Sequence, residues 1–247
     1  MTRCFVAISF AAFAAVAFAA AACGGRGVSA SCPTVATALR LPRSPVLQGD
    51  IAGDRRPDRV FLAYDRLAPT QCRVLLVVTT GSHALSRQLP SVGPPPIIGT
   101  HWKGPPALEA LVRLDRMGKL GIGVSVGYGA STAGVSVLRV QRGRLVAVLR
   151  PGGSFLGGTF VYGGVVSQLE GVDCTPGSFR QLNAGASDSG RRWQIRSAVF
   201  TVRGTHFIPR SRRTWTFVGG FAALQRKFPA LGSRPFRGCS AARAGIG

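Results

Sequence analysis

The sequence predicts an all-β domain of antiparallel strands, built as an open sheet, a sandwich or partial propeller-like blades, with at most one or two short helices. Three observations carry this. Short β-branched runs recur from Val46 onward, Gly, Pro and Ser break them at close intervals, and no long helical periodicity occurs. With 33 Gly and 16 Pro in 247 residues, turn signals are dense enough to divide the chain into many strands. A hydrophobic share of 46% beside a charged share of 16% favours a packed core over disorder.

The chain starts with an export signal, expected over residues 1–22. Met1-Thr2-Arg3 supplies a basic start, and an apolar Ala- and Phe-rich run follows to Ala22, interrupted by Ser9. Three readings of its end stay open. Ala20-Ala21-Ala22-Cys23 resembles a bacterial lipobox, which would make Cys23 a lipid-modified N-terminus tethered to the membrane. Ala20-x-Ala22 also fits an ordinary cleavage site and a free secreted protein. An uncleaved anchor is the third reading, since about 20 apolar residues can span a bilayer. All three place the rest of the chain outside the cytoplasm.

Residues 23–45, with Pro33, Pro42 and Pro45, read as a tether and lead-in. The all-β domain is expected over 46–233, with strands near 59–64, 72–79, 108–114, 123–127, 134–140, 144–149, 159–165, 193–202 and 214–218. Turns at 141–143 and 203–204 mark two hairpins. Pro94-Pro95-Pro96 and Pro105-Pro106 mark loops, 220–227 forms a short helix, and 234–247 is a C-terminal tail.

Of six cysteines, Cys4 lies in the signal and Cys23 at its end. Cys32, Cys72, Cys174 and Cys239 remain, an even number in an oxidising compartment, and read as two disulfides. Cys32–Cys72 with Cys174–Cys239 is the favoured pairing, because each bridge then ties one end of the chain to the body. The spacing does not fit a zinc site, and His83, His101 and His206 are scattered.

The formal net charge is +22, and Arg outnumbers Lys 28 to 3. Composition bias is one account, since Ala, Gly and Pro are also abundant. An anionic partner is the other: lipid headgroups or a cell-wall polyanion. The basic residues carry no nucleic-acid-binding motif, which disfavours nucleic acid.

Three of the nine acidic residues fall within Asp50-Ile51-Ala52-Gly53-Asp54-Arg55-Arg56-Pro57-Asp58, just before the apolar run Val60-Phe61-Leu62. This resembles the calcium loop of VCBS and FG-GAP repeats, D-x-D-G-D-G-x-x-D before a strand. Asp50, Asp54 and Asp58 match its first, fifth and ninth positions and Gly53 its fourth. The resemblance implies a Ca²⁺ site on those three carboxylates. Ala52 stands where the third acid belongs and Arg55 where the motif has its turning glycine, so the site would be weakened. A more divergent copy at Asp115-Arg116-Met117-Gly118 keeps only the first aspartate and the glycine. A spacing near 60 residues implies blade-like units, too few here for a closed ring.

Catalytic signatures are sparse. Gly123-Val124-Ser125-Val126-Gly127 spells the G-x-S-x-G elbow, yet Ser125 sits between valines inside an apparent strand, with no helix to follow. Glu109 and Glu170 are the only glutamates, and Glu170 reads as a loop residue beside Cys174 and Pro176. The glycine-rich stretch 152–164 reads as turns and tight sheet packing rather than a phosphate cradle. Trp102, Trp193 and Trp215 are expected in the core. No cofactor is expected beyond the possible Ca²⁺. The expected function is non-enzymatic binding or scaffolding in the cell envelope, with an envelope hydrolase or a calcium-dependent adhesion module as the alternatives.

Overall fold

The computed structural model describes residues 32–81, 83–90, 97–98, 102–103, 106–128, 131–152 and 159–243. The expected signal, Cys23, Pro94-Pro95-Pro96, His101 and residues 153–158 of the glycine-rich stretch lie outside them. The described residues form an all-β fold of antiparallel open sheets, as the sequence predicts.

Strands β1 (Leu47–Gly49), β2 (Asp58–Tyr64), β3 (Val74–Thr80) and β4 (His83–Gln88) pair in that order as a four-stranded sheet. A short helix, α1 (Val35–Ala38), precedes them, and β5 (Ile97–Ile98) pairs with β6 (Trp102–Lys103) after them. β2 and β3 are apolar almost without a break because both faces of their sheet are covered. Val60, Leu62, Val74, Leu76 and Val78 face the second sheet, and Phe61, Ala63, Leu75 and Val77 pack under Ala38 and Leu41.

The second sheet contains β7 (Ala107–Arg113), β8 (Leu120–Tyr128), β9 (Thr132–Gln141), β10 (Arg144–Ala147), β11 (Phe160–Val165), β12 (Gln168–Thr175), β13 (Ser178–Ser187), β14 (Arg192–Arg203), β15 (His206–Val218) and β16 (Ser240–Arg243). Its order is β15-β14-β13-β12-β11-β9-β8-β7-β16, with β10 paired on β9. Period-two alternation decides each face. On β8, Leu120, Ile122, Val124 and Val126 pack against the four-stranded sheet. Gly121, Gly123 and Ser125 point the other way. A Cβ on Gly123 would come within 2.7 Å of the Phe236 ring, so the glycine admits that aromatic.

The sheet curls around an aromatic core of Phe160, Phe179, Phe200, Phe207 and Phe236. Phe160 and Phe207 meet edge to face at 4.8 Å between ring centres. The curl brings the far strand back toward β10. Leu149 N–H donates to the Thr205 carbonyl at 2.8 Å, Phe207 N–H to the Leu149 carbonyl at 2.7 Å, and Arg139 Nη1 to the Gly204 carbonyl at 2.6 Å. Among the described residues a single bridge, Leu149 to His206, joins those edges, with no continuous ladder. The outer face of β12–β15 is covered by α2 (Phe221–Lys227) and the chain after it, with Leu224, Ala230 and Leu231 over Trp193, Ile195 and Leu182.

Both favoured cysteine pairs are at disulfide distance: Cys32–Cys72 with Cα atoms 5.5 Å apart and Cys174–Cys239 with 5.3 Å. Several expectations need correction. Residues 234–243 are not a free tail, since Phe236 and Cys239 are fully buried and β16 pairs with β7. Residues 32–45 are part of the body, bonded through Cys32, α1 and an Arg43–Ala63 bridge. Glu170, read as a loop residue, lies on β12, and β12 and β13, where no strand was expected, occupy the middle of the sheet.

Candidate anion-binding site

The inner face of the curled sheet changes character along its strands, and the register shows how. One cross-strand row is Cys174, Phe179 and Phe200; the next is Val172, Gln181, Ala198 and Arg212. The row beyond is Glu170, Asn183, Arg196 and Thr214, and the last is Gln168, Gly185, Gln194 and Thr216. Aromatic rings fill one end of the curl. The other end is polar and stays open.

Where the two regimes meet lies a cavity of about 360 Å³, lined by Arg150, Gln181, Asn183, Arg196, Phe200 and Arg212 among others. Arg150 enters from the segment after β10, which the Leu149 hydrogen bonds hold against β15. Its guanidinium lies 5.5 Å from the Phe160 ring centre and 5.6 Å from that of Phe200, within cation–π range. Arg150 Nε is buried and has no hydrogen-bond partner among the described residues. Burial pushes the Arg150 guanidinium below its usual value, Glu170 opposes this, and nearby Arg212 adds to it. Arginine stays charged regardless. Glu170 is raised above the ordinary carboxylate range, mainly by burial, while a bond from Gln168 and the charge of Arg150 pull it back. Glu170 and Arg150 thus lie near enough for each to act on the other's charge.

Gln181 sets the floor. Its amide donates to the Val161 carbonyl at 2.8 Å and accepts from Val161 N–H at 3.1 Å, which fixes its orientation. The walls are less committed. Arg196 Nη2 reaches Gln194 Oε1 at 3.2 Å, and Arg196 and Arg212 are otherwise exposed. A fixed floor, cationic walls and a volume fit for a small group are the features an anion-binding pocket needs.

The other residues singled out in the sequence fall elsewhere. Ser125 is fully buried on β8, and its hydroxyl bonds Glu109 Oε1 and, at 2.9 Å, the Tyr162 hydroxyl. Tyr162 also donates to Glu109 Oε1 at 3.0 Å. Among the described residues no histidine joins this trio, and the backbone from Ser125 to Tyr128 runs on as strand, without the sharp turn an elbow needs. Trp193 is fully buried, with its indole N–H shared between the Gly190 and Gly219 carbonyls at 3.1 Å each.

In the acidic loop, the three carboxylates hold backbone. Asp50 accepts from Gly53 and Arg55 N–H at 2.6 and 2.9 Å, Asp54 from Arg56 N–H at 2.9 Å, and buried Asp58 from Ile51 and Ala52 N–H at 2.7 Å each. Arg55, at φ 65°, adopts the left-handed conformation for which the motif uses glycine. Asp115 and Gly118 repeat part of this pattern, with Asp115 bonding Lys119 N–H at 3.0 Å and Gly118 sharing Gly53's φ of 86°. Among the described residues no three His, Cys, Asp or Glu side chains group as a metal ion requires; Asp50, Asp54 and Asp58 spend oxygens on backbone N–H groups, and Asp58 Oδ1 is buried without a partner. Nor is any described helix long and apolar enough to cross a membrane.

No family model matches the chain, and no curated protein or solved structure is significantly similar to it.

Sequence reasoning missed Arg150, Arg196 and Arg212 as a set. They come from three separate segments and carry no local spacing. The one available signal was the polar alternation of Gln168, Glu170, Gln181 and Asn183 within apolar neighbours.

Proposed function

We propose that this chain is an exported cell-envelope protein, lipid-anchored through Cys23, whose non-enzymatic role is to bind an anionic surface polymer. The observation that carries the reading is the cavity walled by Arg150, Arg196 and Arg212, where three guanidiniums line open volume with one carboxylate, Glu170, near Arg150, and where Arg150 Nε has no hydrogen-bond partner among the described residues. The net charge of +22 supports it by raising the local concentration of polyanions near the surface. The two cysteine pairs at disulfide distance are compatible with a place outside the cytoplasm. The export and lipidation parts rest on the N-terminal residues alone.

The test is binding of the mature protein to polygalacturonate, with neutral dextran as control, at several salt concentrations. Binding at low salt that declines with NaCl, and weakens at least tenfold in an Arg150→Ala/Arg212→Ala double variant, supports the reading. Absence of binding at low salt, or equal binding by the double variant, overturns it. Intact mass of the mature N-terminus decides the anchor, which requires diacylglycerol on Cys23.

A further inference from the structure

Next to the arginine cavity along the strands lies a second one of about 210 Å³, lined by Gln168, Asn183, Ala184, Gly185, Gln194 and Arg196. The two share Asn183 and Arg196. The second exists because of Gly185. In its row Gly185 stands between Gln168 and Gln194, and a Cβ built on it would meet no atom within 4 Å. Any side chain would occupy that volume. Its backbone is not in the left-handed region, so neither turn geometry nor close packing demands a glycine here.

The two cavities differ in chemistry. Guanidiniums offer donors only, in a planar fork that suits a carboxylate or phosphate. Gln168, Asn183 and Gln194 each carry a carbonyl acceptor and an NH₂ donor, the pairing that adjacent sugar hydroxyls satisfy; Gln194 Oε1 already accepts from Arg196 and Gln168 bonds Glu170, each with capacity for one bond more. Residues two apart on one strand face are spaced by about 7 Å, so Gln194, Arg196 and Ala198 span about 13 Å. That length accommodates two to three linked sugar units.

Resting on the anionic-polymer reading, we infer that the groove from Arg212 to Gly185 is a binding site for an anionic glycan. One acidic group sits among Arg150, Arg196 and Arg212, and the neighbouring hydroxylated unit sits in the notch that Gly185 leaves open between Gln168 and Gln194. The acid can come from a uronate carboxylate or a sugar phosphate, since both match the guanidinium fork.

Calorimetry on the mature protein tests this with trigalacturonate, maltotriose 1-phosphate, neutral maltotriose and inorganic phosphate. At least one charged trisaccharide binds tenfold or more tightly than inorganic phosphate, and which one identifies the acidic group. Gly185→Val puts its Cβ into the notch, where no atom lies within 4 Å, and suits a strand. It lowers affinity for that trisaccharide tenfold or more while inorganic phosphate binding and melting temperature hold. Gln194→Ala, which cannot clash, lowers the same affinity in the same sense, and Arg212→Ala weakens trisaccharide and phosphate together. The inference is overturned if neither charged trisaccharide exceeds phosphate, or if Gly185→Val and Gln194→Ala leave trisaccharide affinity unchanged. In those cases Arg212-dependent phosphate binding would leave the anion site standing. Absence of any Arg212-dependent binding would remove both.

Discussion

The Tyr162 hydroxyl lies 2.9 Å from Ser125 Oγ, and both side chains converge on one carboxylate oxygen of Glu109. Glu109 sits where the β7–β8 register shifts, between Leu108 and Ala110. The trio therefore stabilises a β-bulge inside the sheet. Ser125→Ala should cost about 1–3 kcal/mol of unfolding free energy by removing a buried donor. Urea melts measure this. Turnover of p-nitrophenyl acetate should be the same for the variant and the parent, whereas an elbow nucleophile would lose it.

The bridge Cys174–Cys239 joins β12 to the chain just before β16. Its loss through Cys174→Ala/Cys239→Ala should cost about 2–4 kcal/mol by releasing the unfolded chain from a long loop. Hydrogen exchange should then quicken first in β16 and β7. Non-reducing peptide maps should recover Cys32 with Cys72 and Cys174 with Cys239, and no free thiol at any of the four.

The loop between β1 and β2 is held by carboxylate-to-amide bonds, so Ca²⁺ should not raise the melting temperature, nor chelator lower it. Asp58→Ala leaves two loop N–H groups without their acceptor and should destabilise by about 1–3 kcal/mol per group left buried. Arg55→Gly removes a left-handed penalty of about 1 kcal/mol and should melt no lower than the parent.

Burial holds the Glu170 carboxyl above its ordinary value. The folded chain keeps that proton at pH values where the unfolded chain has released it. The contribution to stability is complete below the ordinary carboxylate range and is lost as pH rises through the raised value. Denaturant melts from pH 4 to pH 8 should therefore show Glu170→Gln gaining stability relative to the parent as pH rises. A constant difference across that range contradicts the assignment.

Runs such as Arg59-Val60-Phe61-Leu62 and Val135-Ser136-Val137-Leu138 were legible because burial on one or both faces writes itself directly into β-branched and aromatic residues. β12 and β13 were not. Their inward face passes from Val172 and Phe179 to Glu170, Gln181 and Asn183 as the curl opens, so alternation loses its apolar half. Gly171 removes another apolar position, because a Cβ there would fall 2.1 Å from the Ala230 carbonyl. The cysteine pairing could be argued from chain ends alone. The arginine cavity could not, since it depends on a long-range register and on Arg150 being delivered by a different hairpin.

The edge of β7 is covered by β16, which forms from the last described residues of the chain. An uncovered β7 exposes a row of unpaired backbone groups, the kind of edge that recruits foreign strands. A growing polypeptide thus lacks this strand until Ser240–Arg243 has been made. Chain order therefore postpones the cover of this edge until β8 to β15 have been made, and the Cys174–Cys239 bridge then ties the late segment to β12.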